Sequence, residues 1–165
     1  MYKKCMQSPV GEIVIIEDKG KIVEIDIAKN NKLDNIEEKD TELLLQTEKQ
    51  LKEYFEGKRF DFEIPLNPIG TEFMQSVWKA LEQIPYGETR TYKEIADAVG
   101  NPKASRAVGM ANHRNPIPII IPCHRVVGKS GSLTGYAGGI DKKVKLLELE
   151  GVDMSKFFIP KKEIY

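Results

Sequence analysis

Only two cysteines and two histidines occur among the 165 residues: Cys5, Cys123, His113 and His124. A closed four-ligand zinc site would consume all of them, and none shows paired ligand spacing, which excludes structural zinc. Two cysteines write no disulfide framework, so two free thiols are expected. Of these, Cys5 reads as a small buried apolar residue, the usual fate of an isolated intracellular cysteine. No apolar run approaches the ~20 residues of a membrane span. The first residues show no basic, then apolar, then small-residue leader. A cytoplasmic protein without membrane contact is expected. An excess of charge is also lacking, since 25 Lys/Arg balance 25 Asp/Glu.

The distribution of charge is less even than its sum. Residues 1–70 carry 11 Lys/Arg against 15 Asp/Glu, which leaves 14 against 10 for residues 71–165. Between 90 and 129 the basic residues Arg90, Lys93, Lys103, Arg106, Arg114, Arg125 and Lys129 face only Glu94 and Asp97. A basic face on a neutral chain fits a phosphate footprint, with Arg125 among its contacts, and equally an ordinary solvated surface.

The order of elements predicts an α+β chain. The β-branched runs Glu12–Ile16 and Lys21–Ile27 flank Asp18-Lys19-Gly20 and read as a hairpin. A helix from about Thr41 to Glu56 follows, stopped by Gly57. Residues 60–70, with Pro65, Pro68 and Gly70, read as a linker, so the expected division is a small N-terminal domain over 1–70 and a second domain over 71–165. In the second, Thr71 caps a helix to about Ile84 with an apolar stripe of Phe73, Val77, Ala80, Leu81 and Ile84. Thr91-Tyr92-Lys93-Glu94 is a capping box opening a short helix that ends at Gly100. Asn101-Pro102 is expected to start the next one as N-cap and first residue, with Ala104, Ala107, Val108 and Ala111 inward. Two short helices joined by a tight turn describe a helix-turn-helix or a plain αα-corner. Three prolines then impose an extended course on Asn115–Pro122, after which come Cys123 and His124, a Gly-rich loop with Tyr136, and a last helix from about Asp141 to Glu150.

A free thiol of pKa near ~8.5 is little ionised at neutral pH, and nearby positive charge lowers that value. His124, Arg125 and Arg106 are the candidate sources of such a field. Adjacent side chains rarely face each other, so Cys123 and His124 are expected to communicate through one water, with Glu150 holding the imidazole.

The runs Pro122-Cys123-His124-Arg125-Val126-Val127, Asn115-Pro116 and Asn101-Pro102-Lys103-Ala104-Ser105-Arg106-Ala107-Val108-Gly109 resemble the O6-alkylguanine-DNA alkyltransferases. The match runs from about Phe73 to Gly151 and is specific in combination; the N-terminal part agrees in its order of elements. The resemblance implies an RNase H-like α/β N-terminal domain ahead of a mostly helical domain with a helix-turn-helix. It implies that Cys123 accepts an alkyl group from O6 of guanine in a single event, with His124 and Glu150 as its relay, Asn115 bracing the turn and Tyr92 hydrogen-bonding N3 of the base. Arg106 is implied as the finger that fills the stack of a flipped nucleotide. Ala104, Ala107, Gly109 and Ala111 are implied to allow close approach in the minor groove. Tyr136, Ala137, Val126 and Pro118 are implied to line the base pocket.

The implied partner is duplex DNA carrying O6-alkylguanine, with O4-methylthymine a second lesion, for a monomer that needs no cofactor. Met110, Asn112 and His113 stand where members of the family vary. Three rivals fit less well. A lesion sensor without transfer lacks the cysteine that this chain keeps. A regulator carries a further zinc-bearing region with clustered cysteines. A thiol hydrolase leaves Arg106, Tyr92 and Asn115 without a role.

Overall fold

A computed structural model describes residues 1–27, 33–136 and 138–160. The chain divides into two compact units, Met1–Ile69 with Pro116–Ile120, and Gly70–Asn115 with Ile121–Tyr165.

The first unit is a four-stranded sheet with one helix. Strands β1 (Tyr2–Ser8), β2 (Gly11–Asp18), β3 (Lys21–Asp26) and β4 (Glu37–Glu38) lie in the order β3-β2-β1-β4. β1 and β3 run antiparallel to β2, and β4 runs parallel to β1. The hairpin expected around Asp18-Lys19-Gly20 is present, and Lys19 and Gly20 both have positive φ, 52° and 77°, the signature of the two-residue turn that matches strand twist. In β2, Ile13 and Ile15 point to one face of the sheet while Val14 and Ile16 pack with Leu33 on the other. Helix α1 (Glu42–Phe55) packs on β1 and β2, with Thr41 as its N-cap and Leu44, Leu51 and Tyr54 fully buried. Leu45, placed near the helical stripe by its spacing, is exposed.

Three expectations for this part need correction. β1 was not apparent, because Tyr-Lys-Lys-Cys-Met-Gln-Ser carries few β-branched residues; pairing with β2 supplies what propensity does not. Cys5 is exposed rather than buried, and its thiol lies 3.6 Å from Glu38 Oε1. Residues 65–67 do more than link, since Ile22 N donates to Pro65 O at 2.9 Å and Asn67 N to Ile22 O at 2.8 Å, adding a short extended rung beside β3. The prolines tolerate this place because neither has to donate.

The second unit is mostly helical. Helices α2 (Glu72–Glu82), α3 (Tyr92–Ala98) and α4 (Ser105–His113) pack on one another. α5 (Ile140–Leu149) follows later in the chain, and the two-residue strands β5 (Arg90–Thr91) and β6 (Val126–Val127) pair in parallel. Thr71 caps α2 by accepting from Met74 N at 3.2 Å. Val77, Leu81 and Ile84 are buried as expected; Phe73 and Ala80 are only partly so, and Trp78 takes the central place, its Nε1 donating to Ala111 O at 2.9 Å. Losing a buried aromatic of this size costs about 3–5 kcal/mol.

The capping box of α3 is fully formed. α4 starts three residues later than Asn101-Pro102 suggests. Ala104 N donates to Asn101 O at 3.0 Å, so Asn101 opens a turn with Pro102 at its second position, and the helix N-cap is Ala104 with no side-chain cap. That is a favoured turn position for proline, and it competes successfully with the first helical position. On α4, Val108 and Ala111 face inward, whereas Ala107 is exposed. Among the described residues no helix is long and apolar enough to cross a membrane.

Candidate active site

The backbone before Cys123 is bent twice within five residues. Ile120 N donates to Pro118 O at 2.9 Å around Ile119, whose φ of 75° is unusual for a β-branched residue and makes a strained γ-turn. Cys123 N then donates to Ile121 O at 2.8 Å around Pro122, whose φ of −80° and ψ of 65° define an inverse γ-turn. Asn115 Nδ2 donates to the same Ile121 carbonyl at 2.8 Å, and Asn112 Nδ2 to Cys123 O at 3.3 Å. Cys123, His124 and Arg125 form one tight helical turn. Proline geometry and two asparagine amides thus fix where the thiol stands.

Burial pushes the Cys123 thiol up from its ordinary range, while a hydrogen bond from Asn115 and the charge of Lys143 pull it down. His124 is fully buried, which lowers its pKa against the raising effect of Glu150. Its Nε2 lies 2.7 Å from Glu150 Oε2. A carboxylate only accepts, so Nε2 carries the ring proton and Nδ1 is left with a lone pair. Nδ1 is buried and has no hydrogen-bond partner among the described residues. A neutral imidazole with its basic nitrogen open, one residue from a thiol, is the arrangement of a general base.

Glu150, at the C-cap of α5, collects donors from three directions. Besides His124 it accepts from Arg125 Nε at 2.8 Å and Nη2 at 3.0 Å, and from Gly87 N at 3.1 Å. Arg125 Nη1 donates to Ile84 O at 2.7 Å, and the guanidinium lies over the Tyr86 ring. Arg125 is therefore not at a DNA-facing surface. It is 6% exposed and neutralised by Glu150, so it supplies neither a phosphate contact nor a net field at the thiol.

The positive group that does act on Cys123 is one that sequence reasoning missed. Lys143, inside α5, is fully buried, its Nζ donates to Thr134 O at 3.0 Å, and burial lowers its pKa to about 8. Its only sequence signal is a lysine at a position of α5 that should face the core.

The remaining expected residues divide. Tyr92 opens α3, with its hydroxyl 3.3 Å from Thr134 Oγ1 and 3.4 Å from Thr134 O, and burial raises its pKa. Tyr136 is buried with a hydroxyl that has no partner among the described residues, its pKa held well above 10 by burial. Val126 is buried in β6, next to the Cys123–Arg125 turn. Arg106 and Ala107 are exposed on α4, and Ala104 and Gly109 are half-buried there.

Ala111, expected at DNA, is 1% exposed and anchors Trp78 instead. Pro118, expected in the base pocket, is buried in the segment that belongs to the first unit, where Ile25 N donates to Pro116 O at 2.8 Å. Ala137 lies outside the described residues. The loop leading to Tyr136 is held by the chain's later residues, with Leu133 N donating to Phe158 O at 2.8 Å and Phe158 N to Gly131 O at 3.0 Å. Among the described residues no cluster of His, Cys, Asp or Glu is placed to hold a metal.

Residues 72–152 match the family model of the DNA-binding domain of 6-O-methylguanine DNA methyltransferase, and residues 1–68 match that of its ribonuclease-like domain. A methylated-DNA–protein-cysteine methyltransferase of Methanosarcina acetivorans is 50% identical over 154 residues, covering 92% of this chain and 99% of that one. The constitutive Bacillus subtilis enzyme of the same name is 47% identical over 158 residues, with 92% and 96% covered. Among solved structures, the Mycobacterium tuberculosis OGT protein in complex with DNA superposes with a TM-score of 0.85 at 43% identity, over 95% of each chain. This chain belongs to the 6-O-methylguanine DNA methyltransferase family.

Proposed function

We propose that this protein repairs DNA by direct reversal, moving a methyl or other alkyl group from O6 of guanine to its own Cys123. The observation that carries the reading is the buried pair of His124 and Glu150, which leaves the lone pair on His124 Nδ1, one residue along the chain from the thiol. His124 takes the thiol proton through a water. The thiolate sulfur attacks the alkyl carbon, the S–C bond forms as the C–O6 bond breaks, and the electron pair leaves with the guanine, which regains one proton. A soft sulfur nucleophile suits displacement at carbon. The thioether product has no carbonyl for water to attack, so each molecule acts once.

The base leaves its stack to reach a thiol that is 5% exposed. Arg106, exposed on α4, fills the gap, and the small residues Ala104, Ala107 and Gly109 admit the minor groove. Tyr92 donates to N3 so that guanine departs neutral, and Tyr136 and Val126 flank the extruded base. Residues 71–165 bind DNA and carry the chemistry, and residues 1–70 support them. The protein acts as a monomer in the cytoplasm, a compartment that two free thiols suit. O4-methylthymine is a second lesion of the same chemistry.

Incubation with a duplex containing O6-methylguanine, followed by intact-mass measurement, tests the reading. One methyl per protein on Cys123, absent in Cys123→Ser, is expected. Repeated turnover, or tight binding with no mass change, would point to a hydrolase or a lesion sensor instead.

A further inference from the structure

Asn112 lies on α4, and the chemistry proposed above gives it no part. It is 3% exposed and sits in the last turn of the helix whose outer face carries Arg106. Its side chain reaches inward, where Nδ2 donates to the main-chain oxygen of Cys123 at 3.3 Å. A carbonyl can only accept, so the amide nitrogen must be the atom that faces Cys123. The other end of the amide, Oδ1, is then shut away from water with no hydrogen-bond partner among the described residues. A buried acceptor left unsatisfied is a standing cost, and a leucine at this position would remove it. Stability alone does not account for an asparagine here.

Its neighbours show what the donor does. Asn115 N donates to Asn112 O at 3.3 Å, and Asn115 Nδ2 holds Ile121 O at 2.8 Å. The two amides therefore grip the nucleophile's turn at two carbonyls on either side of Pro122, Asn112 from the last turn of α4 and Asn115 from just beyond its C-cap. Trp78 fixes that end from behind through Ala111 O. The Cys123 carbonyl already accepts from Val126 N, so it is not in need of a partner. What Asn112 adds is a direct tie between the DNA-facing helix and the backbone of the reacting residue.

We propose that Asn112 is a positioning residue for alkyl transfer, coupling the seat of α4 on DNA to the placement of the Cys123 thiol. The inference rests on the function proposed above and deepens it. The geometry acts on the rate of the chemical step rather than on DNA affinity, because Asn112 points away from the exposed face of its helix.

The test is single-turnover transfer from an O6-methylguanine duplex by wild type, Asn112→Leu and Asn112→Ser, with melting temperature measured alongside. Leucine fills the space without a donor, and serine is small enough to fold there yet too short to reach Cys123. Both variants are expected to lose about ten- to a hundredfold in maximal rate, the effect of a small misplacement of a reacting atom. The duplex concentration giving half-maximal rate should stay within about twofold, and Asn112→Leu should melt at or above the wild-type temperature. Unchanged maximal rates would overturn the proposal. So would a loss confined to half-saturation, or two variants that both melt far below wild type, since Asn112 would then be only a surface or packing residue. A wild-type protein that gains no methyl would overturn the function itself, and this inference with it.

Discussion

His124 Nε2 lies 2.7 Å from Glu150 Oε2, and neither side chain has any exposed surface. The same carboxylate closes a two-pronged pair with Arg125. One residue at the end of α5 therefore sets the tautomer of the base and neutralises Arg125, the cation of the Cys123–Arg125 turn.

Because Arg125 is paired inside the protein, Arg125→Met should destabilise the fold by about 3–5 kcal/mol, the usual cost of leaving one member of a buried pair uncompensated. Affinity for undamaged duplex and its dependence on salt should be unchanged under conditions where the variant is folded. Denaturant unfolding and a DNA titration at two salt concentrations check both parts. A reduced salt slope would restore Arg125 as a phosphate contact.

Glu150→Gln keeps the shape but removes the charge that orients His124 and offsets Arg125. Transfer should slow by about a hundredfold or more, the range of a lost general base, and stability should fall as well. The rate is read from quenched single-turnover samples. A Glu150→Gln variant with wild-type rate would remove His124 from the mechanism.

The pH dependence of stability follows from burial. His124 titrates below its ordinary 6.5 because burial disfavours its charged form. The unfolded chain therefore binds this proton first as pH falls, so stability present above pH 6.5 is lost below it. The limiting slope is about 1.4 kcal/mol per pH unit for one proton. Denaturant curves between pH 7.5 and 5.5 should show this loss, and a His124→Gln variant should show less of it.

Lys143 is displaced in the same sense, from 10.5 to about 8. Stability available above pH 10.5 is lost as pH falls toward 8, so at pH 7 the cost is fully present. Lys143→Met should raise stability at pH 7, by up to about 3 kcal/mol if the whole shift is recovered. The same variant should slow transfer, because the charge that favours the thiolate has gone. A variant that is both less stable and equally fast would contradict both statements.

Arg106→Ala should slow transfer from duplex DNA far more than transfer from the free alkylated base, since only the duplex requires a nucleotide to leave its stack. Parallel assays on the two substrates decide it; equal losses would remove the finger role.

Local rules explain much of what was legible. The Lys19-Gly20 hairpin, the Thr71 cap and the Thr91–Glu94 capping box each follow from chemistry within four residues, and all are present. Cys123, His124, Asn115 and Glu150 are brought together, as the resemblance implied for residues spread over 36 positions of one chain. Asn101-Pro102 misled because asparagine before proline suits a turn and a helix start equally well.

What the chain determines by itself is the set of residues and part of their local geometry: a thiol after a proline of fixed φ, an imidazole next to it, and caps that place the helices. The two γ-turns before Cys123 replace the extended course that its prolines suggest. Tertiary structure alone decided their electrical state. Arg125 and Lys143 are both basic letters, yet one is silenced by Glu150 25 residues away and the other is buried where its charge acts on the thiol. Charge acts through distance and burial, and neither is written at the residue that carries it.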